Sequence, residues 1–110
     1  MSWLLNDEGS VLASLEIADT RASRRRGLLG RDNFEGALLL RPARSVHTFG
    51  MGFTIDVALC DRDMAVLKLV TVPPRRLVLP VARAYCAIEA EAGSMARWNL
   101  SPGDQLEVSS

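Results

Sequence analysis

The residues best suited to chemistry lie in one stretch, Ser45–Asp56, which reads SVHTFGMGFTID. It holds the only histidine of the chain, His47, followed by Thr48 and, four positions after the histidine, by Met51. Asp56 ends the stretch inside an apolar segment, where a carboxylate must be paired or hydrogen-bonded because its burial is costly. Three interpretations follow: a polar network that fixes the loop, a pocket for a ligand or for catalysis, or a soft-metal site.

The soft-metal interpretation would join His47 and Met51 to Cys60 or Cys86 around an ion such as copper. The spacing His-x-x-x-Met is a weak ligand signature, and no further cluster of metal-binding residues accompanies it in the sequence. The two cysteines are too far apart for a CxxC motif and are predicted to be reduced thiols in the core. The phosphate-binding motifs GxGxxG and GxxxxGK(S/T) are also missing from the sequence. We therefore predict neither a metal nor a cofactor.

A second polar cluster follows late in the chain and consists of Glu89, Glu91, Gly93 and Asp104. If Glu89 faces the same side as Asp56, the two carboxylates share a site with His47, and the pKa of one of them rises. That arrangement would suit acid–base chemistry. It would equally suit pairing of Glu89 with an arginine from residues 21–31.

The basic residues are concentrated between residues 21 and 44, where seven arginines stand against two acidic residues. Thr20 is a suitable N-cap for a short helix in this segment. Two interpretations are open. The segment is either a capped and solvated helix, or a surface on which residues such as Arg24 and Arg26 bind an anion or an acidic partner.

Composition limits the classes of function. The chain has 110 residues, 48% of them hydrophobic, which predicts one globular domain over residues 1–110. Thirteen basic residues balance thirteen acidic ones, and this argues against a basic nucleic-acid-binding protein. No apolar run reaches the ~18–20 residues that cross a bilayer, so we expect no membrane association. The first residues show no signal-peptide pattern, so we expect a cytoplasmic protein.

The remaining pattern is one of short strands separated by turns. Segments Thr54–Cys60 and Ala65–Val72 alternate and lie at hairpin distance, which predicts an antiparallel pair. Further strands are predicted at Val11–Ile17, Gly36–Leu40, Tyr85–Ala90 and Gln105–Val108, with an edge or loop segment at Leu77–Val81, a helix from Thr20 to Gly27 or Gly30, and a helical turn at Ser94–Trp98. The fold class is therefore mainly β, at the margin of α+β: a single compact rolled sheet or small β-barrel with one or two short helices.

Five segments together match a known pattern: Ala22–Arg31, Gly36–Leu40, His47–Val57, Ile88–Gly93 and Gly103–Asp104. On these segments the chain resembles the bacterial and archaeal family catalogued as domain of unknown function 192. It departs from the family at Thr54, where a proline is usual, and at Gly52, where a basic or polar residue is common. The resemblance implies a compact β-rich domain without a known cofactor or an established activity. It also marks His47, Thr48, Met51, Asp56, Glu89, Gly93 and Asp104 as positions to watch.

The leading hypothesis is a non-enzymatic ligand-binding or adaptor module that uses the His47–Asp56 loop. Glu89, Arg24 and Arg26 would lie at the rim of its binding surface. Its partner would be a small molecule or a protein, with arginines favouring an anionic one. The alternative is a small acid–base enzyme, a hydrolase or lyase, with His47, Asp56 and Glu89 in a shared pocket. We expect no nucleic acid as a partner.

Overall fold

The computed structural model describes residues 1–31 and 33–110. These residues form nine strands and two short helices, which confirms the mainly β class. The strands are β1 (Ser2–Asn6), β2 (Val11–Ala18), β3 (Ala37–Leu40), β4 (Val46–His47), β5 (Ile55–Cys60), β6 (Val66–Val72), β7 (Leu77–Val78), β8 (Cys86–Glu91) and β9 (Leu106–Ser109), and the helices are α1 (Arg21–Arg26) and α2 (Ser94–Arg97).

Seven of the strands form one curled sheet in the order β6-β5-β8-β3-β2-β1-β9. Neighbouring strands are antiparallel except β2 and β3, which run parallel because α1 and the loop after it carry the chain back along the sheet. The sheet curls until the starts of its two edge strands meet. Ala65 bridges to Gln105, and the Val66 N–H donates to the carbonyl oxygen of Asp104 at 2.8 Å. The result is a half-barrel joined at one end, as the rolled-sheet prediction expected.

The predicted hairpin is present, since β5 and β6 pair antiparallel. Every residue of β5 is buried, because both faces of the central strands are covered. On one side, which we call the α1 face, Val57 packs in a cluster with Leu28 from the segment after α1. On the other side, the α2 face, Ala58 packs in a cluster with Met95 of α2. Polar side chains on β5 therefore have no solvated face to occupy.

Helix α1 begins where the sequence predicts. The Thr20 hydroxyl accepts a hydrogen bond from the Ser23 N–H at 3.0 Å, and the Ser23 hydroxyl accepts one from the Thr20 N–H at 3.0 Å. This reciprocal capping stabilises the first turn of a helix only six residues long. The helix ends at Gly27, where φ is 47°. Of the helices formed by the described residues, none is long and apolar enough to cross a membrane.

The sequence analysis missed two strands. Strand β1 pairs with both β2 and β9, and the segment between β1 and β2 is a polar turn with Gly9 at a φ of 83°. That turn is a hairpin signal that the pattern did contain. Strand β4 is only two residues long and pairs with β7, so neither has a periodicity to detect. The segment predicted at Leu77–Val81 is correspondingly shorter, with Leu77–Val78 alone in a strand.

The close approach of β2 to the start of β3 requires glycine at position 36. Its φ is 89°, and a Cβ there would lie 2.5 Å from Ser14 Oγ and 2.8 Å from the Ser14 carbonyl oxygen. We expect Gly36→Ala to lower the free energy of unfolding by about 2 kcal/mol or more, measured by urea denaturation. Gly9→Ala is the matched control, because Gly9 has a similar φ of 83° with no heavy atom within 4 Å. Equal losses in the two variants would mean that backbone conformation alone, rather than the contact with Ser14, requires the glycine.

Candidate functional site

The two buried carboxyl groups of the central strands lie on opposite faces of the sheet. In the β5–β8 ladder Asp56 is paired with Ala90, while Glu89 is paired with Val57. Directly paired residues share a face and successive residues alternate. Asp56 therefore points to the α2 face and Glu89 to the α1 face. The hypothesis that His47, Asp56 and Glu89 share one pocket is wrong. Asp56 and Glu89 occupy successive pairs of the β5–β8 ladder, and successive pairs point to opposite faces of the sheet.

Asp56 is a structural residue, and both of its carboxylate oxygens accept hydrogen bonds from close partners. Its Oδ1 accepts a hydrogen bond from the Thr71 hydroxyl at 2.7 Å. Its Oδ2 accepts from the backbone N–H groups of Gly93 and Met95, each at 3.0 Å. These bonds tie β6 and the first turn of α2 to the centre of the sheet. Such a carboxylate stabilises the fold but has little capacity left for a ligand.

Thr48 plays a comparable part on the other side of the molecule. It is fully buried, its hydroxyl donates to the Pro73 carbonyl oxygen at 2.7 Å, and the same oxygen accepts from the Arg76 N–H at 2.9 Å. Its backbone N–H also donates to the Arg76 carbonyl oxygen at 2.8 Å. Thr48 therefore fixes the loop between β6 and β7 against β4, which corresponds to the polar-network interpretation for this residue.

Asp104 lies far from these groups in the topology, at the joined end of the half-barrel. Its carboxylate accepts a hydrogen bond from the Ser101 N–H at 2.8 Å, and its carbonyl oxygen accepts from Val66. It does not line the cavity that holds Glu89 and His47. Within the described chain, Asp104 closes a turn.

Glu89 lies in a cavity of about 80 Å³ between α1, β4 and β8, which we call the cleft. Of the other candidate residues, Arg24, Arg26, His47 and Met51 also line it. The structure adds seven residues that the sequence analysis did not select as site residues: Arg25, Gly27, Leu28, Leu29, Leu40, Ser45 and Val46. Most are apolar or backbone contributions without a chemical signature, although Arg25 and Gly27 belonged to the basic segment that was singled out.

Glu89 carries the one carboxyl group among the described residues that line the cleft, and no donor from these residues offsets its burial. It is 4% exposed, and its oxygens receive no hydrogen bond from the described residues. Its nearest cover is Gly27, where a Cβ would lie 3.5 Å from Glu89 Oε1. Burial without a compensating donor raises the pKa of the Glu89 carboxyl to about 7. Near neutral pH this group therefore exists in both forms and can either donate or accept a proton in a hydrogen bond.

The predicted alternative of an arginine partner for Glu89 is also wrong among the described residues. Arg31 forms a two-pronged ion pair with Glu16 instead, with N–O distances of 3.1 and 3.0 Å. That hydrogen bonding lowers the pKa of Glu16. Arg24 donates to the carbonyl oxygens of Asp19 at 3.0 Å and Arg41 at 3.4 Å. Arg24 thus anchors α1, whereas the exposed Arg26 is a charge at the rim of the cleft.

His47 lies at the mouth of the cleft on β4. Its side chain is exposed, and its ring lies 5.7 Å from that of Phe49, centroid to centroid. The soft-metal interpretation is wrong because its ligands lie apart. Met51 packs on the α1 face, whereas Cys60 and Cys86 pack on the α2 face. Both cysteines are free and buried.

Comparison with known families gives one match over almost the whole chain. The family designated DUF192 and described as "Uncharacterized ACR" matches residues 4–108. A UPF0127 protein of Pyrococcus abyssi is 27% identical, with 97% of each chain covered. A UPF0127 protein of Thermococcus sibiricus is 32% identical over 84% of this chain and 64% of the relative. A UPF0127 protein of Pyrococcus horikoshii is 30% identical over 97% of this chain and 90% of the relative.

Two solved structures share the fold. A Novosphingobium aromaticivorans protein of unknown function has a TM-score of 0.79 at 23% identity, covering 96% of this chain and 82% of that one. A Sinorhizobium meliloti protein, whose name suggests a transcription regulator, has a TM-score of 0.81 at 20% identity over 97% and 91% of the two chains. At these identities the likeness concerns the fold alone.

The bonds around Asp56 predict a large effect of a small substitution. In Asp56→Asn the amide oxygen can still accept from the N–H groups of Gly93 and Met95, but these bonds lose the negative charge that strengthens them. The amide nitrogen then faces the Thr71 hydroxyl, which can no longer donate to position 56. We expect the free energy of unfolding to fall by about 2–4 kcal/mol, against about 1 kcal/mol for Thr71→Val, which removes one hydroxyl bond. Both values come from urea denaturation. A smaller loss for Asp56→Asn than for Thr71→Val would contradict the role assigned to the carboxylate.

The raised pKa of Glu89 predicts that this residue makes the protein less stable as the pH increases. Between the ordinary pKa of 4.5 and about 7, the folded state holds a proton that the unfolded state has released. The free energy of unfolding therefore falls by about 3 kcal/mol in total as the pH rises through this window. Above the window it no longer depends on Glu89. Glu89→Gln removes this dependence, so its stability relative to the wild type should increase from pH 4 to pH 8.

The matched control is Glu91→Gln, on the same strand but exposed. Because Glu91 is exposed, this variant removes a carboxyl group from the strand without opening the cleft, and the pH dependence measured for Glu89→Gln should exceed the one measured for Glu91→Gln. A pH dependence for Glu89→Gln no larger than that for Glu91→Gln would show that Glu89 titrates as an ordinary solvated carboxyl.

Proposed function

The chain belongs to the DUF192 family of uncharacterised proteins, and we propose that it is a binding module for a small organic anion, held in the cleft. The observation that carries the proposal is Glu89: a carboxyl group that is buried, bordered by a cavity and given no hydrogen-bond partner by the described residues. Among the described residues no fully enclosed side-chain oxygen lacks a partner, so the oxygens of Glu89 open onto the cavity. A ligand in the cavity can therefore take the hydrogen bonds that no protein group supplies. Asp56, equally buried, shows the contrast because its partners are all internal.

Charge around the cleft favours an anion. Three arginines of α1, Arg24, Arg25 and Arg26, line the cleft against the single carboxyl of Glu89. No arginine of α1 forms an ion pair with a described residue. A cationic ligand would be repelled by these guanidiniums, whereas a carboxylate can accept hydrogen bonds from them.

Size and lining favour a compact ligand with an apolar part. The cavity of about 80 Å³ has room for about three water molecules or a molecule of a few non-hydrogen atoms. Leu40, Val46 and Met51 supply an apolar wall. A short carboxylic acid such as propionate or pyruvate meets both conditions, with its carboxylate towards the arginines.

Glu89 in its protonated form provides the remaining contact. A protonated carboxyl donates one hydrogen bond, so it can bind an oxygen of an anionic ligand without charge repulsion. Once Glu89 is ionised, its carboxylate no longer donates a hydrogen bond and repels the negative charge of the ligand. Binding should therefore weaken as the pH rises through about 7, where the Glu89 carboxyl titrates.

The alternative of an acid–base enzyme retains two of its three residues, because His47 and Glu89 line the same cleft. It loses Asp56, which lies on the other face with its oxygens occupied. A binding module requires no third group, and it is therefore the function that this geometry supports best. Turnover of a bound acid, followed by NMR, would favour the enzyme instead.

Thermal unfolding tests the proposal with acetate, propionate and pyruvate at constant ionic strength, with chloride as the reference anion. A ligand at about a hundred times its Kd stabilises by about 2.7 kcal/mol, which for a domain of this size raises the Tm by about 10 °C. We expect Arg26→Gln to reduce the shift. Glu89→Gln should preserve the shift at pH 6 and extend it to pH 8, because the amide donates at every pH.

The matched control is Arg21→Gln, since Arg21 is an exposed arginine of the same helix that does not line the cleft. Equal Tm shifts in Arg26→Gln and Arg21→Gln would contradict the proposed anion site. A set of acids without any shift would direct the search to a protein partner for this surface.

A further inference from the structure

A second concave surface lies on the other side of the segment that leads into β4. Its volume is about 340 Å³, within the ordinary range for sites that bind small molecules. It is lined by Pro42, Arg44, Arg62, Arg83, Ala84 and Tyr85. None of these residues lines the cleft, so the two cavities have separate walls.

Three arginines reach this cavity from three different connections. Arg44 comes from the loop between β3 and β4, Arg62 from the turn between β5 and β6, and Arg83 from the loop between β7 and β8. The curled sheet brings these connections together at one end. All three arginines are exposed, so solvent screens their mutual repulsion, and an anion in the cavity would be attracted by each of them.

The donors of these arginines are available. Among the described residues, the arginines whose side chains donate hydrogen bonds are Arg24, Arg31, Arg76 and Arg97. The only ion pair between described residues joins Arg31 to Glu16. Arg44, Arg62 and Arg83 therefore offer fifteen N–H donors in total, at about five for each guanidinium.

None of the residues that line the cavity is acidic. Asp61 precedes Arg62, but its Oδ1 accepts hydrogen bonds from the N–H groups of Asp63 at 2.9 Å and Ala65 at 3.0 Å. The Asp61 carboxylate therefore binds backbone groups of the turn between β5 and β6. Asp63 is exposed and does not line the cavity.

Tyr85 holds one of the arginines in position. The guanidinium carbon of Arg62 lies 4.1 Å from the centre of the Tyr85 ring. Stacking on an aromatic ring occupies the face of a guanidinium and leaves its edge, which carries the N–H groups, free to bind a ligand. The stacked arginine also loses less conformational freedom on binding than a free surface arginine does.

We propose that the cavity of Arg44, Arg62 and Arg83 is a binding site for the phosphate group of a small phosphate compound. A single arginine can donate one N–H group to each of the two oxygens of a carboxylate, so a carboxylate does not need three arginines. A terminal phosphate has three oxygens and carries up to about two negative charges near neutral pH, so it can accept from three guanidiniums that approach from different directions. This number of donors matches phosphate better than carboxylate.

Isothermal titration calorimetry at low ionic strength tests the proposal, with inorganic pyrophosphate as the first probe and ADP as the second. We expect saturable binding to the wild type that weakens when salt is added. The double variant Arg62→Gln/Arg83→Asn should bind about tenfold more weakly or worse, because each lost contact is a charge-assisted hydrogen bond. If ADP binds as tightly as pyrophosphate or more tightly, the natural ligand is a nucleotide. If pyrophosphate binds more tightly than ADP, the natural ligand is an inorganic phosphate anion.

Arg75→Asn is the matched control for position 83. Arg75 and Arg83 are both exposed arginines with positive φ, 65° and 70°, a conformation that asparagine tolerates. Arg75 lies outside the cavity, so its substitution should leave the affinity for pyrophosphate unchanged. Arg62→Lys keeps the charge but loses the planar fork, and its affinity should lie between those of the wild type and Arg62→Gln.

The proposal is overturned if neither probe binds more tightly than about 1 mM, or if the double variant and Arg75→Asn bind equally well. Glu89→Gln and Arg26→Gln separate this site from the cleft, since neither should alter the affinity for pyrophosphate. Loss of pyrophosphate binding in those two variants would place the anion in the cleft and would also overturn the proposal.

Discussion

Burial of the central strands on both faces is the constraint on which the rest of the molecule depends. Strand β5 and residues 86–90 of β8 have no solvated side, so a carboxyl group placed there must find its partners inside the protein. Asp56 finds three of them and becomes the tie between the sheet, β6 and α2. Glu89 finds none among the described residues and instead borders a cavity. Two residues of the same chemical type thus have opposite roles, and the register of a single ladder decides which is which.

The sequence was a good guide to the elements that have a period or a terminal signal. The alternation in Thr54–Cys60 and Ala65–Val72 predicted the β5–β6 hairpin, and Thr20 predicted the start of α1. The two-residue strands β4 and β7 could not be predicted, because they depend on tertiary contacts such as those of Thr48. Strand β1 was missed although a glycine turn follows it.

The candidate site was predictable only in part, for a physical reason. Residue types pointed to Glu89, His47, Arg24 and Arg26, and the structure brings these to one cleft. The same reasoning placed Asp56 in the site as well. Strand β5 is buried on both faces, so its sequence has no polar–apolar alternation that would show on which face Asp56 lies. The cavity of Arg44, Arg62 and Arg83 could not be found in the sequence, since its arginines are separated by roughly twenty residues each and meet only through the curl of the sheet. Arg62 also stands between Asp61 and Asp63, so no basic segment marks its position in the sequence.

The pairing of β1 with β9 has a consequence for the way the chain folds. Trp3 is paired with Ser109, so one neighbour of the first strand comes from the far end of the sequence. Closing so long a loop is entropically costly before its contacts form, and sheets built on such distant pairs reach the native state slowly, over about milliseconds to seconds. The local β5–β6 hairpin has no such delay. Assembly should therefore proceed from the middle of the sheet outward, with the pairing of β1 and β9 as its last step.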